Sequence, residues 1–158
     1  MDWAGWAVFG LVATAALTAV MTTAQLAGLT RLDLPLLLGT LVTENPDRAR
    51  AAGIGMHLVV GQAFGLGYLL VFTLLDQATW WLGALLGLLH VSVVLMVLLP
   101  ALPGVHPRMA SHRAGPASRA VLEPPGVLAL NYGLQTPAVT VAAHLVYGGV
   151  LGVLLQAR

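Results

Sequence analysis

Residues 51–75 read AAGIGMHLVVGQAFGLGYLLVFTLL, a stretch that contains no Asp, Glu, Lys or Arg. A helix needs about 20 apolar residues to cross the roughly 30 Å hydrocarbon core of a bilayer. Three more stretches meet this condition, at residues 3–28, 80–99 and 137–155. The sequence therefore predicts one all-α domain over residues 1–158, an integral membrane four-helix bundle.

The composition of the whole chain fits a lipid environment. Only 8% of its residues are charged and its mean hydropathy is +0.88, whereas about a quarter of the residues of a soluble domain are charged. The net charge of +1 provides no basic surface for nucleic acid. The absence of cysteine excludes disulfides and thiolate metal sites. We expect membrane lipid, and no nucleic acid, as a partner.

The arginines predict the orientation of the chain. Six of them lie in two connections, residues 29–50 and 100–136: Arg31, Arg48, Arg50, Arg108, Arg113 and Arg119. By the positive-inside rule both connections are cytoplasmic and both termini lie outside, with Arg158 at the outer end. Four tryptophans then fall at the outer interface, where aromatic residues are enriched: Trp3, Trp6, Trp80 and Trp81. Because every basic residue is arginine, as in GC-rich genomes, we predict a bacterial cytoplasmic (inner) membrane.

Two of the stretches share a motif that indicates an internal repeat. His57-Leu-Val-Val-Gly61 is followed by Gly65, and His144-Leu-Val-Tyr-Gly148 is followed by Gly152. Ahead of each, Asp33-Leu-Pro35 or Glu123-Pro-Pro125 opens a short apolar segment. The pattern predicts two tandem helix-hairpin repeats related by a pseudo-twofold axis along the membrane normal. The alternative is coincidence, since the motif is short and glycine is common here.

Small residues predict which helix faces pack together, because helices in lipid associate through close backbone approach and hydrogen bonds. The predicted packing positions are Gly61, Gly65, Gly83, Gly87, Gly148 and Gly152. On the first helix, Gly10, Thr14, Thr18 and Thr22 form a comparable stripe that continues to Gln25. The polar residue of each helix lies on its small-residue face, which places four polar side chains inside the bundle: Gln25, His57, His90 and His144.

The three histidines allow two interpretations. Each can be a neutral imidazole that hydrogen-bonds a neighbouring helix, which is ordinary in a bundle, or an ionisable residue with a function. In the second case, His57 and His144 are candidate axial ligands of haem b across the pseudo-twofold axis, with His90 as a further candidate. The tight glycine packing argues against a macrocycle in so small a bundle.

The sequence contains no catalytic constellation. HExxH, G-x-S-x-G and Walker patterns are absent, and His106 and His112 have no carboxylate placed between them, so no metal site is predicted. Residues 101–135 are rich in Pro, Gly and Arg. This segment either docks a partner protein or places its arginines on anionic lipid headgroups.

Several strings resemble those of a family of small uncharacterised bacterial polytopic membrane proteins. They are Arg31-Leu-Asp-Leu-Pro-Leu-Leu-Leu-Gly-Thr40, Gly104-Val-His-Pro-Arg-Met109, Leu122-Glu-Pro-Pro-Gly126 and Leu130-Asn-Tyr-Gly133. The resemblance covers most of the chain. It implies a four-helix membrane fold and no activity, and it carries over no catalytic residue.

Three functions are compatible with these features. The first is a non-catalytic accessory or structural subunit of a larger bacterial membrane complex, whose partners are other membrane subunits or further copies of the chain. The second is a haem b protein. The third is a small transporter or channel for a neutral or lipid-like solute, because no Asp or Glu within a span is available for an ion-coupled pathway. An enzyme is disfavoured, since no nucleophile–base pair is found.

Overall fold

The computed structural model describes residues 2–110 and 122–156. Four helices of this part are long and apolar enough to cross a membrane: Trp3–Leu26, Pro46–Leu74, Trp80–Val105 and Thr136–Gln156. The all-α bundle of four long helices predicted from the hydropathy is confirmed. Four residues named above lie outside the described residues. They are His112, Arg113 and Arg119 of the second connection and Arg158 at the C-terminus.

The elements follow one another in a simple order. The helices are α1 (Trp3–Leu26), α2 (Leu34–Gly39), α3 (Pro46–Leu74), α4 (Trp80–Val93), α5 (Leu99–Val105) and α6 (Thr136–Gln156). A π-helical segment, Val94–Leu98, joins α4 to α5, and a 3₁₀ segment, Val127–Tyr132, precedes α6. The bundle thus has two ends. One, called here the α2 end, holds α2 and the 3₁₀ segment; the other holds the turn between α3 and α4.

Polar side chains cap the start of four of the described helices, the first being Asp2 at α1. The side chain of Asn45 accepts a hydrogen bond from the Arg48 N–H at 3.0 Å, with Pro46 in the first turn of α3. Asp33 caps α2 in the same way, and Thr79 caps α4. Such caps satisfy backbone donors that have no partner within the helix. Because of its cap, α3 begins several residues before the uncharged stretch at 51–75.

The third apolar helix extends beyond the predicted end at residue 99. Its last part contains Pro100 and Pro103, and proline clashes with the carbonyl group four residues earlier in an α-helix. The turn before these prolines, Val94–Leu98, is π-helical, and such a turn shifts the carbonyls out of α-helical register. The helix therefore continues through both prolines to Val105.

Helix α6 packs against α4 by backbone contact. A Cβ atom on Gly83 would overlap the carbonyl group of Gly148, and one on Gly148 would overlap that of Gly83. Gly87 lies in the same way against His144, and Gly152 against Thr79. This seam, defined by Gly83, Gly87, Gly148 and Gly152, is the close approach that small residues permit between helices in lipid.

Helix α3 packs on the other side of the bundle. It contacts α1, where Gly61 faces Thr14, and it contacts α2, where Gly39 lies against the Ala49 carbonyl and Gly53 against that of Pro35. Helices α3 and α4 are joined by a short turn, yet their backbones hardly approach each other. The bundle is therefore closed between α4 and α6 and splayed between α3 and α4.

A candidate ligand-binding cavity

The splay between α3 and α4 leaves a cavity of about 370 Å³ inside the bundle. Its walls come from α1, α3, α6 and the α4–α5 helix, and α2 contributes Leu34, Leu37 and Leu38. Ligand pockets in proteins have volumes of about 300–1,000 Å³. The cavity is therefore large enough for a small molecule.

The cavity has an apolar part and a polar part. Towards the α2 end it is lined by aliphatic side chains such as Leu17, Leu37 and Leu102. Halfway along the helices it is lined by the polar residues His57, His90, His144, Tyr147, Thr14 and Thr140. The three histidines singled out from the sequence thus line one cavity. Gln25, which was expected in the interior, is half-buried near the end of α1 and does not line it.

The neighbours of His57 determine its tautomer. The Thr18 hydroxyl donates its only hydrogen to the Thr14 carbonyl at 2.7 Å. The same hydroxyl oxygen lies 2.8 Å from Nδ1 of His57, so it must accept, and Nδ1 carries the hydrogen. In a neutral imidazole the other nitrogen, Nε2, then has a lone pair and no hydrogen.

His144 has the same arrangement. Its Nδ1 lies 2.8 Å from the Thr140 carbonyl oxygen, which can only accept a hydrogen bond, so Nδ1 is again the donor. His144 as a whole is 6% exposed. Nε2 of His144, like that of His57, has no hydrogen-bond partner among residues 2–110 and 122–156.

His90 belongs to a layer of aromatic rings that bridges α3 and α4. It stacks on Phe64 with 3.8 Å between ring centroids and meets the edge of His144 at 4.6 Å. Its Nδ1 lies 3.4 Å from the Tyr68 hydroxyl. Tyr147 completes the layer and donates a hydrogen bond to the Gly61 carbonyl at 2.6 Å. Side chains alone thus span the gap that the two backbones leave.

The geometry limits how a haem can be held. Two axial imidazoles lie on opposite faces of the macrocycle, but the rings of His90 and His144 touch, so this pair does not fit around one. The Nε2 atoms of His57 and His144 are free of partners within the described chain. Across residues 2–110 and 122–156, no three His, Asp or Glu side chains converge to hold a metal ion.

A polar cluster that was not predicted from the sequence lies beside the α2 end of the cavity, next to the lining residue Leu37. His106 donates from Nε2 to the Leu37 carbonyl at 3.1 Å, and its Nδ1 accepts the Arg108 N–H at 3.1 Å. The Arg108 guanidinium donates to the Thr40 carbonyl at 2.6 Å and lies 3.6 Å from the Glu44 carboxylate. Burial, together with the nearby Arg108 charge, lowers the pKa of His106.

Two arginines of the connection at residues 29–50 make contacts within the chain. Arg31 pairs with Glu123 at 3.2 Å and donates to the Asn131 carbonyl, which links the two connections. Arg50 pairs with Asp33 at 2.9 Å. Beside the Arg31 contact, burial and the Glu123 charge raise the pKa of Tyr132 to about 12. Arg31 therefore joins the two connections, and Arg50 joins α3 to the start of α2.

Comparison of the chain with protein-family models, with curated proteins and with solved structures found no match.

Proposed function

We propose that the protein is an integral membrane protein that takes a neutral, lipid-like molecule from the bilayer into the cavity of its helical bundle. The observation that carries this proposal is the lining of the cavity. The described residues that line it include no Asp, Glu or Arg. A charged ligand would therefore be buried without a counter-charge, at a high cost in free energy.

The splay between α3 and α4 supports a lateral entry for the ligand. Three residues that line the cavity also reach the outer surface: Val60 on α3 is 41% exposed, Leu98 is 42% exposed and Val105 is 74% exposed. Apolar side chains thus run from the outside of the bundle into the cavity without a polar barrier. In a bilayer this opening faces the lipid tails, where a lipid-like molecule resides.

The membrane setting is part of the same proposal: a bacterial cytoplasmic membrane, with the α2 end in the cytoplasm and both termini outside. Arg31, Arg48 and Arg50 at the α2 end support it, as do the exposed Trp3 and Trp80 near the opposite end. Cysteine labelling tests it. A cysteine in place of the exposed Arg48 should react only with reagent on the cytoplasmic side, and labelling from outside would invert the topology.

The two tandem repeats also remain a proposal. In their favour, His57 and His144 both donate through Nδ1 and both line the cavity, and a short helical segment precedes each of α3 and α6. Against strict symmetry, α1 packs on α6 whereas α4 does not pack on α3. The accessory-subunit function and the family resemblance stay predictions.

Lipid analysis of the purified protein tests the ligand. Leu102 lines the cavity, and Leu102→Trp should fill much of it. We expect wild-type protein in mild detergent to retain a neutral lipid that native mass spectrometry detects, and the variant to lose it. Leu89→Trp, on an exposed face of α4 outside the cavity, is the matched control. Equal retention by all three proteins, or none by the wild type, would contradict the proposal.

A reduced-minus-oxidised visible spectrum separates this proposal from the haem b alternative. We expect no haem α-band from the wild type. If the wild type shows an α-band that disappears in His57→Phe and in His144→Phe, the cavity binds haem and not a lipid-like ligand, and these two residues are the haem ligands.

A further inference from the structure

The hydrogen bonds at the polar part of the cavity distinguish donors from acceptors. The Thr14 hydroxyl donates to the Gly10 carbonyl, the Thr140 hydroxyl donates to the Thr136 carbonyl, and Tyr147 donates to Gly61. Each of these hydroxyls has one hydrogen, and each hydrogen is used within the protein. None of the three therefore offers its hydrogen to a ligand.

The same holds for two of the imidazoles. The Nδ1 hydrogens of His57 and His144 are held by Thr18 and Thr140. What these rings retain is a lone pair on each Nε2. His90 differs, because its Nδ1 lies 3.4 Å from Tyr68, too far to show which group holds the hydrogen. The polar part is therefore dominated by acceptors.

We propose that the cavity selects a lipid-like molecule whose head is a hydroxyl group, which donates its hydrogen to Nε2 of His57 while its apolar body fills the leucine-lined part. This inference rests on the proposed function. A ligand head that can only accept hydrogen bonds, such as an ether or a ketone, would set its lone pairs against those of the imidazoles. A buried acceptor left without a donor costs free energy. Because only a ligand with a hydroxyl group avoids this cost, the cavity should bind it more tightly than an ether or a ketone.

The shape of the cavity agrees with such a molecule. The leucines continue from the histidines towards the α2 end, where His106 binds the carbonyl of the lining residue Leu37. The apolar opening at Val60 and Leu98 lies on one side, between α3 and the α4–α5 helix. A long-chain alcohol can therefore place its hydroxyl in the middle of the bundle while its chain passes along the leucines.

Two probes that differ in one methyl group test the head group. Hexadecanol and hexadecyl methyl ether have the same chain, but only the alcohol can donate. We expect detergent-purified wild type to bind radiolabelled hexadecanol about tenfold more tightly than the labelled ether. In His57→Phe, which keeps a ring and removes the acceptor, the two affinities should converge. Val59→Phe, on the exposed side of α3, is the matched control and should keep the preference.

Thr18→Val gives a second test that leaves the imidazole in place. Without the Thr18 oxygen, the hydrogen of His57 is no longer held on Nδ1 and can move to Nε2, which then repels the alcohol hydrogen. We expect the preference for the alcohol to shrink while the ether remains bound. Selective ¹⁵N labelling of histidine should show an unprotonated Nε2 for His57 in the wild type.

The outcomes separate this inference from the proposed function. Equal binding of both probes by the wild type, or an unchanged preference in His57→Phe, overturns the assignment of the head group and leaves the lipid-like ligand standing. Binding of neither probe by the wild type overturns both. A preference that is lost in His57→Phe and kept in Val59→Phe supports both.

Discussion

Two pairs of neighbouring helices in this bundle pack in different ways. Helices α4 and α6 meet at the glycine seam, whereas α3 and α4 are separated by a gap. At the seam, glycines bring two backbones together, and a Cβ atom at Gly83 or Gly148 would overlap the opposite carbonyl. Across the gap, the backbones stay apart and the rings of Phe64, Tyr68 and His90 make the connection. The comparison shows how one small bundle holds both a rigid contact and a cavity. Backbone contact stabilises the fold on one side, and ring contacts leave space on the other.

Gly148→Leu should have the largest effect, because it forces the seam apart. The new side chain would meet the Gly83 backbone, which cannot move aside as a side chain can. Overpacking of a core costs about 1–3 kcal/mol or more, and we expect the upper part of that range. Thermal unfolding in mild detergent, followed by tryptophan fluorescence, measures the loss.

Gly67→Leu is the control for this experiment. Gly67 lies on α3, and a Cβ atom there would meet nothing within 4 Å. Because leucine favours helix more than glycine does, this variant should unfold at the wild-type temperature or slightly above it. If Gly148→Leu were as stable as Gly67→Leu, the seam would not be the rigid contact of the bundle.

Phe64→Ala should have a smaller effect on stability, because it weakens the bridge across the gap. Phe64 is half-buried and stacks on His90 at 3.8 Å. Truncation of a fully buried Phe costs about 3–5 kcal/mol, so we expect roughly 1–2 kcal/mol at this partly exposed position. The variant should also admit a bulkier lipid-like ligand, which native mass spectrometry can measure. A cost as large as that of Gly148→Leu would mean that the two contacts do not differ in kind.

Acidification should loosen the cluster of His106 and Arg108 at the α2 end. The pKa of His106 is lowered in the folded protein, so the unfolded chain binds more protons between that lowered value and about 6.5. Stability should therefore fall as the pH drops through this window and recover above it. Wild type and His106→Gln should be compared by thermal unfolding between about pH 5 and pH 7.5. The variant should lose the part of the pH dependence that belongs to His106, and identical curves would refute this origin.

Gly65→Ala should have the smallest effect. Its Cβ would lie 3.1 Å from the Tyr147 hydroxyl, a side-chain atom, and the gain in helix propensity, up to about 1 kcal/mol, offsets the crowding. Gly83→Ala is the same substitution at the seam, where the Cβ meets backbone. We expect an unfolding temperature near that of wild type for Gly65→Ala and a clearly lower one for Gly83→Ala. A similar drop in unfolding temperature in both variants would show that Gly65 and Gly83 are packed equally tightly, which would contradict the comparison.

The sequence predicts the helices well because hydropathy alone defines a span. It also identifies Gly83 and Gly148, since small residues at helical spacing mark the faces that can pack closely. The end of the third helix at Val105 was not predicted, because Pro100 and Pro103 look like a stop unless the preceding turn is known to be π-helical. Hydropathy carries no information about such a turn.

The site was predictable only in part. The spacing of His57 and His144 from their glycines indicates that both face inwards, and both line the cavity. The contact between His90 and His144, by contrast, depends on which helices adjoin, and in lipid no difference in hydrophobicity determines that choice. The role of His106 was missed because its partners, the Leu37 and Thr40 backbones, have no signature in the sequence.

The π-helical turn at Val94–Leu98 changes which side chains of the third long helix face the cavity. One extra residue in a turn rotates everything after it by about 100° relative to an uninterrupted α-helix. The row of side chains that begins at His90 therefore continues into the cavity at Leu98, Leu99 and Leu102. Deleting a single residue from this turn is expected to rotate that row out of the cavity, towards the outside of the bundle. The lining of the cavity can thus change through the loss of one codon, without any substitution among the lining residues.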